Sequence, residues 1–210
     1  MYSFEEAQSK SLEYFGGNEL AVAVFDKYRL KDEQDNIMEL TPEDMHWREA
    51  RELARIEKKK KNPLSEGYIF ELLDKFRWLI PQGSPMSGLG NKYQYVSLSN
   101  CFVIDPPEDS YGGILKADQE LVQISKRRGG VGTDLSKLRP AKTRTTNAAR
   151  TSTGIGSFME RYSNSTREVG QDGRRGALML SISVHHPDIL TFVNKKNDNV
   201  SVTGANISVR

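Results

Sequence analysis

The chain has 210 residues, of which 37% are hydrophobic and 28% charged, with 8 prolines, 17 glycines and a formal net charge of +2. That composition excludes a collagen-like or low-complexity chain and wholesale disorder. No apolar run approaches the ~18–20 residues of a membrane span, and no basic, apolar leader opens the sequence, so a cytoplasmic protein is expected. A single cysteine, Cys101, excludes an internal disulfide framework and a four-cysteine metal site.

The first 80 residues predict helices. Ser3 with Glu6 forms a capping-box pattern and Gly16-Gly17 a stop. A short helix follows over Glu19 to Lys27. Thr41-Pro42-Glu43-Asp44 is a strong helix start, with an N-cap, a proline in the first turn and acids beside it. That helix runs toward Lys58-Lys59-Lys60-Lys61, where positive charge suits the C-terminal dipole, and Asn62-Pro63 ends it. Ser65 opens another helix, whose apolar face carries Ile69, Leu72, Leu73, Phe76 and Leu79.

After Pro81 glycines and turns become frequent. A strand is expected over Tyr95 to Ile104, a helix over Ile114 to Arg127 and a longer helix over Thr151 to Val169. A strand over Ala177 to Val184, a short helix opened by Pro187 and a strand over Ala205 to Val209 follow. Strands alternating with helices predict an α/β fold with largely parallel strands. Residues 1–80 and 81–210 thus form two regions, and the final strand stops at Arg210 without a cap.

Four places invite chemistry, each with a plain structural alternative. From Lys126 to Arg175 there are twelve Lys/Arg against four Asp/Glu, which suits either an anionic ligand or a solvated surface. Gly129-Gly130-Val131-Gly132 follows a helix and precedes an expected strand, the reverse of a dinucleotide fingerprint. It reads as a turn admitting close ligand approach or as a helix C-cap. Gly170 to Gly176 brackets Arg174 and Arg175, which can grip an anion or pair with nearby acids. Cys101 shares a strand face with Ser99 and Val103, as a small core residue or a functional thiol. His46, His185 and His186 make no metal constellation with it.

In order, Ile80-Pro81-Gln82-Gly83-Ser84-Pro85-Met86, Ser99-Asn100-Cys101-Phe102-Val103, Lys126-Arg127-Arg128-Gly129-Gly130-Val131-Gly132 with Leu138-Arg139-Pro140, Gly173-Arg174-Arg175-Gly176-Ala177-Leu178-Met179 and His186-Pro187-Asp188-Ile189 resemble the large, catalytic subunit of ribonucleotide reductase. The resemblance spans nearly the whole chain and is strongest from Ile80 to Arg210. It implies a helical N-terminal region followed by the first part of a ten-stranded α/β barrel, incomplete in this chain, and no ATP-cone before the helices. Cys101 would be one of two cysteines that reduce the substrate and end as a disulfide. Ser84, Asn100, Gly129 and Gly130 would line the ribonucleotide substrate site. Asp109, Ser110 and Arg139 would bind a deoxynucleoside triphosphate or ATP effector. Lys142 to Asn147 would form one specificity loop. Gly170 to Arg175 would form the second, where Gln171 and Arg174 relay effector identity.

The family's radical cysteine, in Asn-x-Cys-x-Glu, and the second cysteine of the pair have no counterpart here. The chain is therefore expected to need a C-terminal reductase fragment that completes the barrel, and to be inactive alone. The likeness is greatest to adenosylcobalamin-dependent (class II) members. A class I large subunit with a separate radical-generating subunit is the alternative. The other expected partners are a thioredoxin-like reductant and further copies in an oligomer, with no membrane, nucleic acid or protein-bound metal. Two other readings compete. A regulatory module would keep the deoxynucleotide site without chemistry. A nucleic-acid binder would use the basic stretches, but these lack the interleaved aromatic residues such binding favours.

Overall fold

A computed structural model describes residues 1–169, 176–197 and 201–210. It resolves into two compact units, Met1–Asn100 and Cys101–Arg210. The break lies beyond the change of sequence pattern at Pro81, because the segment after it still bonds to the helical unit through Arg48, as described below.

The first unit holds α1 (Phe4–Tyr14), α2 (Glu19–Phe25), α3 (Pro42–Glu57), α4 (Glu66–Leu73) and α5 (Gly83–Gly88). The local signals act where expected. Ser3 Oγ accepts from Glu6 N, Ser65 Oγ from Tyr68 N, and Asp44 from Leu40 N and Thr41 N. Ala50 and Ala54 of α3 pack on Ile69 and Leu73 of α4, and Trp47 stacks on Phe70 at 3.9 Å. The expected apolar face beyond Leu73 does not continue. A 3-10 turn at Asp74–Phe76, with Lys75 and Phe76 at positive φ, ends the helix. It leaves Leu79 exposed.

The second unit is α/β: β1 (Cys101–Val103), α6 (Tyr111–Ser125), β2 (Gly130–Asp134), α7 (Ile155–Glu168), β3 (Leu178–Ile182), α8 (Ile189–Asn197) and β4 (Asn206–Val209). The strands are parallel, in the order β1-β2-β3-β4, and the sheet is open, as part of a barrel would be. Each crossover carries a helix, the connection that parallel strands require. Leu121 of α6, Tyr162 of α7 and Phe192 of α8 are buried in one cluster with Val131, Leu180 and Ile182, so the three helices cover one face.

Among the described residues of this unit the other face carries no helix. Cys101, Val103, Met179, Asn206 and Ser208 lie there exposed, and Val103 is 91% exposed. The strand expected from Tyr95 begins only at Cys101. The six residues before it make no ladder bonds, being tied by local contacts such as Ser97 Oγ to Ser99 O. A core place for Cys101 is therefore corrected: its face of the sheet is uncovered. The glycine turn is also shifted. The reversal is at residues 126–129, with Arg128 at φ 69, and Gly130 already opens β2.

Candidate functional site

Asp109, Ser110 and Arg139 converge. Pro106-Pro107 stiffens the approach to α6, and Ser110 caps that helix by accepting from Gly113 N at 3.1 Å. Buried Leu138 anchors the return after β2 and presents Arg139. The main-chain N and Nε of Arg139 donate to the two carboxylate oxygens of Asp109 at 3.1 and 2.7 Å, and Nη2 donates to Asp109 O at 3.1 Å. These bonds use Nε and Nη2 and leave Nη1 for a further anion.

Both side chains line a cavity of about 220 Å³, with Phe158 of α7 at one wall and Thr145, Thr146 and Asn147 at another. The Thr145 wall belongs to a hairpin. Lys142 N donates to Ser152 O and Ser152 N to Thr143 O, and Asn147 closes the tip by accepting from Thr145 Oγ1 at 2.8 Å. A guanidinium, several hydroxyls and one aromatic wall suit a phosphorylated, hydroxyl-bearing ligand with an apolar face.

A second group lies on the uncovered sheet face. Cys101 is exposed and in register with Gly130, and Val103 with Gly132. The glycines leave a strip without side chains between β1 and β3. At Gly132 a methyl group would meet nothing nearer than 3.9 Å, so the fold does not demand glycine there. Gly129 differs. Its Cβ would lie 2.5 Å from Ile124 Cγ2 and 2.9 Å from the Phe102 ring, so packing of α6 on β1 accounts for that glycine.

In the first unit, Ser84 and Asn100 meet: Ser84 N donates to Asn100 Oδ1 at 2.9 Å, and Asn100 Nδ2 donates to Gln82. Ser84 is fully buried, and its Oγ has no hydrogen-bond partner among the described residues. Gln171 and Arg174 lie outside the described residues. Lys58 to Lys61 are exposed just beyond α3, as a solvated dipole-matched end would be.

Three groups escaped sequence reasoning. Asp134 accepts from Ser181 Oγ at 2.8 Å and Arg210 Nε at 2.7 Å. Burial would raise its pKa, but the bonds from Arg210, Ser136 and Ser181 outweigh it and hold the carboxyl well below the usual carboxylate range. His186 and Asp188, which open α8, bond back to the segment around Arg139. Buried Arg48 and Glu39 pair at 2.7 Å. The His-Pro-Asp motif was visible in the sequence; its target was not.

Residues 99–210 match the family of the ribonucleotide reductase barrel domain. The vitamin B12-dependent ribonucleoside-diphosphate reductase of Mycobacterium tuberculosis is 32% identical over 179 residues, 84% of this chain and 25% of that protein. Its counterpart in Thermoplasma acidophilum is 33% identical over 132 residues, 62% of this chain and 17% of that protein. The ribonucleoside-diphosphate reductase subunit alpha of Helicobacter pylori is 28% identical over 197 residues, 93% of this chain and 24% of that protein. The chain spans about a quarter of the length of the mycobacterial and Helicobacter relatives.

Proposed function

Because this chain belongs to the ribonucleotide reductase barrel-domain family, we propose that it supplies the first part of the catalytic barrel of an enzyme that reduces ribonucleotides to deoxyribonucleotides. The observation that carries the reading is the exposed Cys101 beside Gly130 on the uncovered face of a parallel sheet. Parallel sheets are almost always covered on both faces. Further strands, from the same polypeptide or a C-terminal partner, would enclose this face and bring a second cysteine.

The chemistry assigned to Cys101 is a two-electron reduction. Two thiols give up two electrons and two protons and join as a disulfide. The C2′–OH bond of the substrate is replaced by C2′–H, and the hydroxyl leaves as water. Cys101 is one of the thiols, and a thioredoxin-like reductant would regenerate the pair. The backbone of Gly129 and Gly130 would line the substrate pocket, Ser84 would help hold substrate phosphate, and Asn100 would be a further substrate contact. The buried, unpartnered Ser84 Oγ supports a polar ligand there.

The names of the mycobacterial and Thermoplasma relatives extend the proposal to adenosylcobalamin, which would supply the initiating radical. Among the described residues no three His, Cys, Asp or Glu side chains converge, and the His186 ring is committed to Leu138 and Asp188. The residues that would hold that cofactor would lie mainly outside this chain. The Asp109–Arg139 cavity would bind a deoxynucleoside triphosphate or ATP effector. Its hairpin wall, together with the loop carrying Gln171 and Arg174, would relay effector identity to the substrate site.

The test is Cys101→Ser in the assembled reductase, assayed with a thioredoxin-like reductant with and without adenosylcobalamin. Loss of sustained turnover is expected, and retained turnover overturns the redox role. One observation favours a second reading, a regulatory deoxynucleotide-binding module: the effector cavity is built wholly within the second unit. That reading predicts tight effector binding by this chain with no reductase activity in any assembly.

A further inference from the structure

We propose that Asp188, oriented by His186, is a positioning residue for the Arg139 cavity, holding together the two ends of the hairpin that forms its wall. The inference rests on the reading of that cavity as a nucleotide effector site. The hairpin leaves the body of the unit at Ala141 and returns at Ile155. Asp188 Oδ2 accepts from both points, from Ala141 N at 2.9 Å and Ile155 N at 3.1 Å. Between them the strands of the hairpin pair through Arg144 and Thr151, and the tip supplies Thr145 and Asn147 to the cavity. One carboxylate oxygen therefore closes the base of a loop whose far end lines the cavity.

The carboxylate is itself held. Asp188 N donates to His186 Nδ1 at 3.0 Å, so Nε2 carries the proton and donates to Leu138 O at 2.8 Å. Leu138 immediately precedes Arg139. The two side chains, 7% and 8% exposed, thus grip the segment on both sides of Arg139-Pro140 and the start of α7. Gly154 makes room for this: its φ is +77, and a Cβ there would stand 2.5 Å from Asp188 Oδ2. An Asp at this position caps α7 from another element, where an anion is favoured by the helix dipole.

A cavity wall preset in this way spares the ligand the ordering of a flexible hairpin, and that preorganisation appears as affinity. The experiment compares Asp188→Ala, Asp188→Asn, Gly154→Ala and Arg139→Ala in the full protein. It measures equilibrium binding of each of the four deoxynucleoside triphosphates and ATP, and amide exchange at Ala141 and Ile155. Asp188→Ala is expected to weaken effector binding about tenfold and to speed exchange at both amides. Asp188→Asn, which keeps an acceptor oxygen, should recover most of the affinity. Should Asp188→Ala fail to fold, Gly154→Ala, whose methyl group would crowd both the Asp188 carboxylate and Ala141 at a φ of +77, carries the same expectation.

Unchanged effector affinity in folded Asp188 and Gly154 variants, with binding lost in Arg139→Ala, overturns the positioning role and leaves the effector site standing. Faster amide exchange without any loss of affinity also overturns it, since the role would then be structural alone. Wild-type affinity in Arg139→Ala overturns the effector reading itself.

Discussion

Arg139 engages Asp109 at three points: through its own main-chain N–H, through Nε and through Nη2. The pair is 36% exposed on each side, so as an ion pair it contributes only about 0–1 kcal/mol to stability. Its geometry matters more than its energy, because it aims a guanidinium into a 220 Å³ cavity. Arg139→Ala should therefore leave the melting temperature nearly unchanged and weaken effector binding more than about thirtyfold. Calorimetric titration beside a thermal melt checks both halves.

The two glycines near Cys101 should respond differently. Gly129→Ala forces a methyl group against Ile124 and the Phe102 ring and should destabilise by about 1–3 kcal/mol. Gly132→Ala meets only ordinary contacts, and its stability should stay within about 0.5 kcal/mol of wild type. Its methyl group would project onto the uncovered face in the row of Val103, so turnover of the assembled reductase should fall. Equal stabilities of the two variants in urea would contradict this division.

Arg48 joins α3 to α5. It donates to Glu39 Oε1 and to Met86 O, both at 2.7 Å, and to Leu89 O. Arg48→Met would leave Glu39 buried without its cation and should cost about 3–5 kcal/mol. The paired change Glu39→Gln with Arg48→Met should recover a large part of that loss. Chemical denaturation of the two variants measures the difference.

His46 and Glu49, one turn apart on α3, predict opposite pH dependences. Both are buried, with ring nitrogens and carboxylate oxygens lacking hydrogen-bond partners among the described residues. Burial lowers the His46 pKa from 6.5 to about 4, with Arg48 lowering it further and Asp74 opposing. It raises the Glu49 pKa from 4.5 to about 7, with Glu39 adding to the rise and Arg48 opposing.

The folded state therefore binds the Glu49 proton more tightly than the unfolded chain. That contribution is full below pH 4.5 and lost as pH rises to 7. The His46 contribution is full above pH 6.5 and lost as pH falls to 4. Each is on the order of 3 kcal/mol, and between pH 4.5 and 6.5 they cancel. Glu49→Gln should unmask the histidine, giving stability that drops steadily from pH 6.5 to 4. Melting curves across that range test it; a flat profile in the variant would sink the assignment.

Several features were legible because they are local. Ser3, Thr41-Pro42 and Ser65 cap helices through bonds that span three or four residues, and sequence alone carries such spacing. The α/β alternation after Pro81 implied parallel strands, since each strand is followed by a segment long enough for a crossover helix. Leu79 misled because the apolar period continued past Leu73, while the positive φ at Lys75 and Phe76 broke the helix that would have used it.

What the sequence determined by itself was thus most of the elements, though not α5 (Gly83–Gly88), whose residues read as a turn, together with the family to which the ordered motifs belong and the residues worth testing, since caps, periodicity and motif order are properties of neighbours along the chain. Tertiary structure decided what those residues face. Whether Cys101 is core or exposed depends on which side of the sheet the three helices cover. The His-Pro-Asp motif acquires a role only because Asp188 meets Ala141, 47 positions away. Burial and hydrogen-bond partnership arise between segments remote in sequence, and only the packed fold brings those segments together.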